Sequence, residues 1–179
     1  MWREFKPALR FVGWFVGLYV VGNLLYGLYV TSCGNTPDAI TQAVSRQSAW
    51  LLSQLGFEAG AKANPVGPTV WLQRGRTTVL DVYEGCNGVN VFIVFVAFVV
   101  AFGGPRKKLV WFLPLGMLLL HLANLARLVF LYWIALNHAA YFYYVHKYIF
   151  TLAIYAVVFV LWMRWIKETN GRKKEVSNG

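Results

Sequence analysis

DVYEGCNGVNVFIVFVAFVVAF, residues 81–102, changes character partway along. From Val89 to Phe102 it holds one asparagine among otherwise apolar side chains. The approach, DVYEGCNG (81–88), sets two acids, an asparagine, two glycines and a cysteine against that run. A helix crossing lipid needs no such approach, so the stretch predicts both a membrane element and something built at its mouth.

Composition supports the membrane reading. Of 179 residues, 58% are apolar, 17% aromatic and only 13% charged, which is greasier than soluble domains of this size. Several runs approach the roughly 20 residues a helix needs to cross about 30 Å of hydrocarbon. A net charge of +10 raises the question of nucleic acid, but the basic residues cluster beside apolar runs. Arg3, Lys6 and Arg10 precede the first, Arg106–Lys108 separate two others, and Arg164 to Lys174 follow the last. That is the cytoplasmic bias of membrane proteins, and no nucleic-acid partner is expected.

The chain reads as a single membrane domain, 1–179, with spans at about 11–30, 88–102, 109–134 and 148–165 and an outer segment at 31–86. The fold class expected is all-α: a four-helix transmembrane bundle with a small outer amphipathic helix and a β-hairpin. The first run follows a basic start and ends in VTSC (30–33), like a lipoprotein signal. It exceeds the roughly 7–15 apolar residues of a signal core, so a retained span is expected, with both termini inside. In the outer segment, TPDAITQAVSRQSAWLLSQLG (36–56) has helix punctuation. Thr36 is placed to cap, and Ile40, Ala43, Val44, Trp50, Leu51 and Leu55 recur at helical spacing. ANPVGP (63–68) reads as a loop, and TVWLQRGRTTVLDVY (69–83) as two strands about an Arg-Gly-Arg turn.

Charges inside spans are costly and mark functional candidates. Arg127 is the only charge in the third run, roughly 27 Å beyond Leu109 at 1.5 Å per residue. Cys86 opens the second helix and His146 the fourth, both at that same outer depth. A thiol attacks chiefly as thiolate, and a helix N-terminus, an Arg or a protonated His lowers its pKa. An imidazole relays protons near neutral pH, and a guanidinium holds an oxyanion. Each residue also has a plainer reading. Cys86 fits an inert buried thiol or a disulfide partner of Cys33, Arg127 fits a side chain snorkelling to headgroups, and His146 fits an interfacial aromatic. Around the trio, Asn124 shares the face of Arg127, Asn90 follows Cys86 by four residues, and Glu84 is placed to hold Arg127 or His146. His138 is the rival to His146; His121 lies deeper and reads as a buried polar contact.

YEGCNGVNVFIVFVAFVVAF, LANLARLVFLYW (122–133) and YYVHKYIFTLAIYAVVFVLW (143–162) together resemble the exosortase/archaeosortase signatures: Cys, Asn-x-x-Arg and His, each at an outer helix end. The short length and HKYIF resemble the compact branch called exosortase F. The resemblance covers roughly the C-terminal 110 residues, and the larger members have further spans that this chain lacks. It implies a membrane cysteine transpeptidase at the outer face of the bacterial cytoplasmic membrane. The partners implied are secreted proteins bearing a C-terminal sorting signal (motif, transmembrane helix, basic tail), membrane lipid, and a lipid or glycan acceptor. By motif, Cys86 is the nucleophile, Arg127 the charge stabiliser and His146 the proton carrier. No cofactor and no metal are implied. Two other classes stay open at this point: a non-catalytic membrane scaffold of a surface-protein secretion or assembly system, and a small transporter using Arg127 to read an anion. The second and fourth spans are nearly bare of the polar groups a transport path needs.

Overall fold

The computed structural model describes residues 2–177. Helix α1 (Trp2–Ser32) is followed by α2 (Ala39–Gln54). Three short strands come next, β1 (Gly60–Ala63), β2 (Val70–Arg74) and β3 (Thr77–Val82). A single 3-10 turn (Glu84–Cys86) leads into α3 (Val89–Phe102). Helix α4 (Arg106–Asn137) runs back to an outer turn holding α5 (Phe142–Tyr144) and a π-helical stretch (Val145–Ile149), and α6 (Phe150–Ser177) follows.

Three stretches, Phe5–Ser32, Arg106–Asn137 and Ala139–Thr169, are long and apolar enough to cross a membrane. Helix α3 is apolar but has 14 residues. At 1.5 Å per residue it spans about 21 Å, short of the hydrocarbon core. The expectation of a four-helix bundle therefore meets three long helices and a short one, which falls on the short span expected at 88–102. Helix α3 packs against α1, α4 and α6, and Gly103 stops it.

The outer segment departs from expectation in two ways. Helix α2 is capped by Asp38, not Thr36: its carboxylate accepts from the amides of Ile40 (2.9 Å) and Thr41 (3.0 Å), satisfying donors that a helix start leaves unpaired. Its buried face is Thr41, Val44, Ser45, Ser48, Ala49 and Leu52, and the larger Ile40, Trp50 and Leu55 stand exposed. Small side chains let α2 lie close to α4, and the large apolar ones face away from that contact. The hairpin, in turn, is a three-stranded antiparallel sheet in the order β1-β2-β3. Gly60–Ala63, with no β-branched residue, did not read as a strand; it becomes one by pairing with Ala63 opposite Val70 and Gly60 opposite Gln73.

Two cores follow. The outer one joins Val44 and Leu52 of α2, Leu72, Leu80 and Val82 of the sheet, and Leu125, Leu128, Leu131 and Tyr132 of α4, with Cys86 among them. Tyr132 is fully buried, and its hydroxyl reaches the carbonyls of Glu58 (3.4 Å) and Gln73 (3.5 Å), fastening the sheet over α4. The inner core gathers Phe95, Val99, Leu120, Val158, Leu161 and Trp165. Trp162 stacks on Phe98 at 4.1 Å, and the Trp165 indole donates to the Gly103 carbonyl at 3.1 Å, tying α6 to the basic turn.

Candidate active site

Strand β3 delivers the chain to Tyr83, and Cys86 closes the 3-10 turn that follows, its amide donating to the Tyr83 carbonyl at 2.8 Å. Cys86 is thus not the first residue of α3. Helix α3 begins three residues later, after Gly88 at φ 88°. A left-handed glycine resets the chain direction there, and the Asn124 amide packs at 3.3 Å from where a Gly88 Cβ would stand, so a side chain at 88 meets backbone strain and a tight contact that Asn124 must yield to. The ring of Tyr83 folds over Gly85, where a Cβ would lie 2.3 Å from the ring.

Two side chains of α4 converge on this turn. Asn124, 2% exposed, donates to the Cys86 carbonyl at 3.0 Å, and Arg127 donates to the same oxygen through Nη2 at 3.1 Å. Arg127 therefore holds the backbone of the cysteine. Its Nε is buried without a partner, and its charge also bears on the thiol. His146 sits in the π-helical stretch, its ring stacked on Phe142 at 5.7 Å and 3°. Its Nδ1 is also buried without a partner, and it lies within electrostatic reach of Arg127. Phe142 in turn packs on the core that holds Cys86.

The thiol's environment differs from the expected one. Burial pushes the Cys86 pKa up; Arg127 and the backbone hydrogen bond at Tyr83 pull it down, and the Glu84 charge raises it again, with a net upward shift. The physical reason is position. Cys86 is only 5% exposed and lies outside the first turn of α3, so desolvation of a thiolate outweighs one nearby cation. The resting group is a neutral thiol that needs a base. The neighbouring Tyr83 phenol is shifted upward as well, first by the charge Cys86 would carry and then by burial.

The other candidates divide. Asn90 is exposed on the first turn of α3 and makes no side-chain hydrogen bond among the described residues; the Gly88 reset breaks the i, i+4 relation to Cys86. Glu84 forms no ion pair among the described residues, where Lys108–Glu168 alone is paired. His138 is exposed at the end of α4, edge-on to Trp133. His121 is half-buried and makes no hydrogen bond among the described residues. Cys33 and Cys86 are both free, with Cys33 at 3.5 Å from the Tyr29 carbonyl on α1, so no bridge joins them. No group of three or more potential metal ligands occurs among the described residues.

Asn87 is the residue that sequence reasoning missed. It is 1% exposed. Its amide donates to the Tyr26 hydroxyl (2.6 Å) and the Thr41 hydroxyl (3.0 Å), and its carbonyl accepts from the Val89 amide (3.0 Å). Thr41 Oγ1 bonds Asp38. One side chain thereby locks α1, α2 and the start of α3 beside the thiol. The Asn-Gly pair at 87–88 signalled a turn; partners 61 and 46 residues away have no local signal.

A cysteine clamped by an arginine through its own carbonyl, with a half-buried histidine within electrostatic reach of that arginine, is compatible with thiol chemistry. A family model described as transmembrane exosortase matches residues 8–164. No curated protein and no solved structure matches the chain.

Proposed function

Because the chain belongs to the transmembrane exosortase family, we propose that it is a membrane cysteine transpeptidase that cleaves the C-terminal sorting signal of secreted proteins at the outer face of the bacterial cytoplasmic membrane. In this reading α3 is a fourth, short crossing. It carries the chain from the sheet side back to the Arg106–Lys108 turn, leaving both basic ends inside.

The observation that carries the reading is the convergence of Arg127 on the Cys86 carbonyl (3.1 Å) with buried, unpartnered nitrogens on both Arg127 and His146. Buried polar groups are normally satisfied, and an orphan on the arginine that holds Cys86, with another on the histidine within its electrostatic reach, suits a site completed by substrate. His146 accepts the thiol proton, and the thiolate attacks the carbonyl carbon at the end of the signal motif. Arg127 stabilises the oxyanion with donors not engaged by Cys86. His146 then protonates the leaving amine, and the signal helix with its basic tail departs. The acceptor, a lipid or glycan nucleophile, loses its proton to His146 and displaces the thioester; the thiol regains that proton. Water in place of the acceptor gives hydrolysis.

The sheet supplies a route for the motif. Strand β3 pairs with β2 on one side only, and no backbone group of Thr77–Val82 bonds elsewhere among the described residues. An extended motif adding along this edge is led straight to the thiol. The test is intact-mass analysis of secreted surface proteins from cells carrying the wild-type chain or Cys86→Ala. Loss of a C-terminal helix only in wild-type cells supports the reading. Identical masses in both overturn it.

A further inference from the structure

Near the opposite end of the bundle from Cys86, α1, the end of α3 and α6 border an open groove of about 1610 Å3. Phe11, Trp14, Leu18, Phe98, Phe102 and Ile166 give it an apolar lining. Lys6 and Arg10 also line it, and no acidic residue does among the described residues. They lie four residues apart on α1, so they share a face one helical turn apart. Neither is paired with a carboxylate among the described residues. The turn Gly103–Pro105 also lines it, and the basic start of α4 follows directly.

We propose that this groove is a binding site for one anionic phospholipid of the inner leaflet, its phosphodiester between Lys6 and Arg10 and its acyl chains along the aromatic lining. Charge selects this occupant. A phosphodiester with no cation of its own complements the two cations that line this groove. A zwitterionic lipid brings an ammonium into the same field. The helix of a sorting signal ends in a basic tail, which Lys6 and Arg10 repel. The groove is larger than the roughly 300–1,000 Å3 of sites for drug-sized ligands, as two acyl chains require. The inference is independent of the thiol chemistry.

The full chain, purified in detergent, is titrated with phosphatidylglycerol or phosphatidylcholine and read by native mass spectrometry. One phosphatidylglycerol retained under activation that strips phosphatidylcholine is expected. Lys6→Gln with Arg10→Gln weakens that retention about 30-fold, on the scale of two headgroup-level cations, while Arg106→Gln with Lys107→Gln, equal in charge but outside the groove, preserves it. A Lys6→Arg, Arg10→Lys exchange preserves it too, separating binding from folding. Equal retention of the two lipids overturns the proposal. So does an equal loss in the Arg106/Lys107 variant, which makes the effect general surface charge, or a dimer mass that displaces lipid.

Discussion

Arg127 donates to the carbonyl oxygen of Cys86 at 3.1 Å, so the residue expected to stabilise charge is fastened to the backbone of the residue expected to attack. A planar fork reaches two acceptors at once; a lysine ammonium is a point charge without that geometry. Arg127→Lys should therefore lower processing by about 100-fold or more, the loss typical for removal of one oxyanion donor. Cys86→Ser should fall to background, because an alcohol forms no accessible anion there. Mass analysis of a processed surface protein checks both, and wild-type rates in Arg127→Lys would remove the arginine from the mechanism.

The buried thiol sets a pH expectation. Its folded pKa is raised, first by burial, so the fold favours the protonated form. That contribution to stability is complete below the ordinary thiol pKa and is lost as pH rises from that value through the folded one. Reactivity runs the other way: alkylation of Cys86 should be slow near neutrality and climb only above the ordinary thiol range. Arg127→Gln should move that climb to still higher pH, since the guanidinium lowers the pKa. Cys33, half-buried at the start of the α1–α2 connection and unbridged, should be labelled first, and Cys33→Ala should retain processing. Rapid labelling of Cys86 at pH 7 would contradict the burial argument.

Asn87 offers a test of structure separate from chemistry. Asn87→Ala leaves the Tyr26 and Thr41 hydroxyls without this donor in a buried setting, at a cost of about 1–3 kcal/mol. Tyr26→Phe removes one partner and should cost about 1 kcal/mol. Thermal unfolding in detergent should rank them in that order. Processing by Asn87→Ala should also fall, because the 3-10 turn carrying Cys86 is held by the same bonds. Unchanged melting in Asn87→Ala would mean the network is not holding the turn.

What the sequence revealed and what it hid follow from interaction range. Apolar runs, basic flanks and the β2–β3 turn are local patterns, and they were legible. So was Asn124 sharing a face with Arg127, since i, i+3 spacing is fixed once the helix is known. Helix phase misled where the helix was not continuous: Gly88 at φ 88° turns Asn90 away and brings Asn87 in. Helical spacing showed the apolar stripe of α2 but not which face meets the protein: close packing on α4 selected Thr41, Ser45, Ser48 and Ala49, and Ile40, Trp50 and Leu55 stand exposed. Strand β1 arises only from its partner. The upward shift of the thiol depends on burial by Leu125, Leu128 and the sheet, a tertiary quantity that no motif encodes.

His146 is where three histidines can be told apart. It lies in the π-helical stretch Val145–Ile149, and such departures from α geometry often accompany functional sites because one extra residue per turn re-aims a side chain. Stacking on Phe142 fixes the ring, and the orphaned Nδ1 is left to exchange a proton. His138 is exposed beside Trp133, and His121 lies about 9 Å deeper along α4 than Arg127. General acid–base groups contribute about 100- to 10,000-fold, so His146→Ala should lose processing on that scale, while His121→Ala and His138→Ala should stay near wild type. His146→Gln, which keeps size and hydrogen bonding but cannot carry the proton, should fail like His146→Ala and melt like wild type. If His146→Gln processed normally, the proton would have to travel by another group, with Tyr83, folded over Gly85 next to the thiol, the first to mutate.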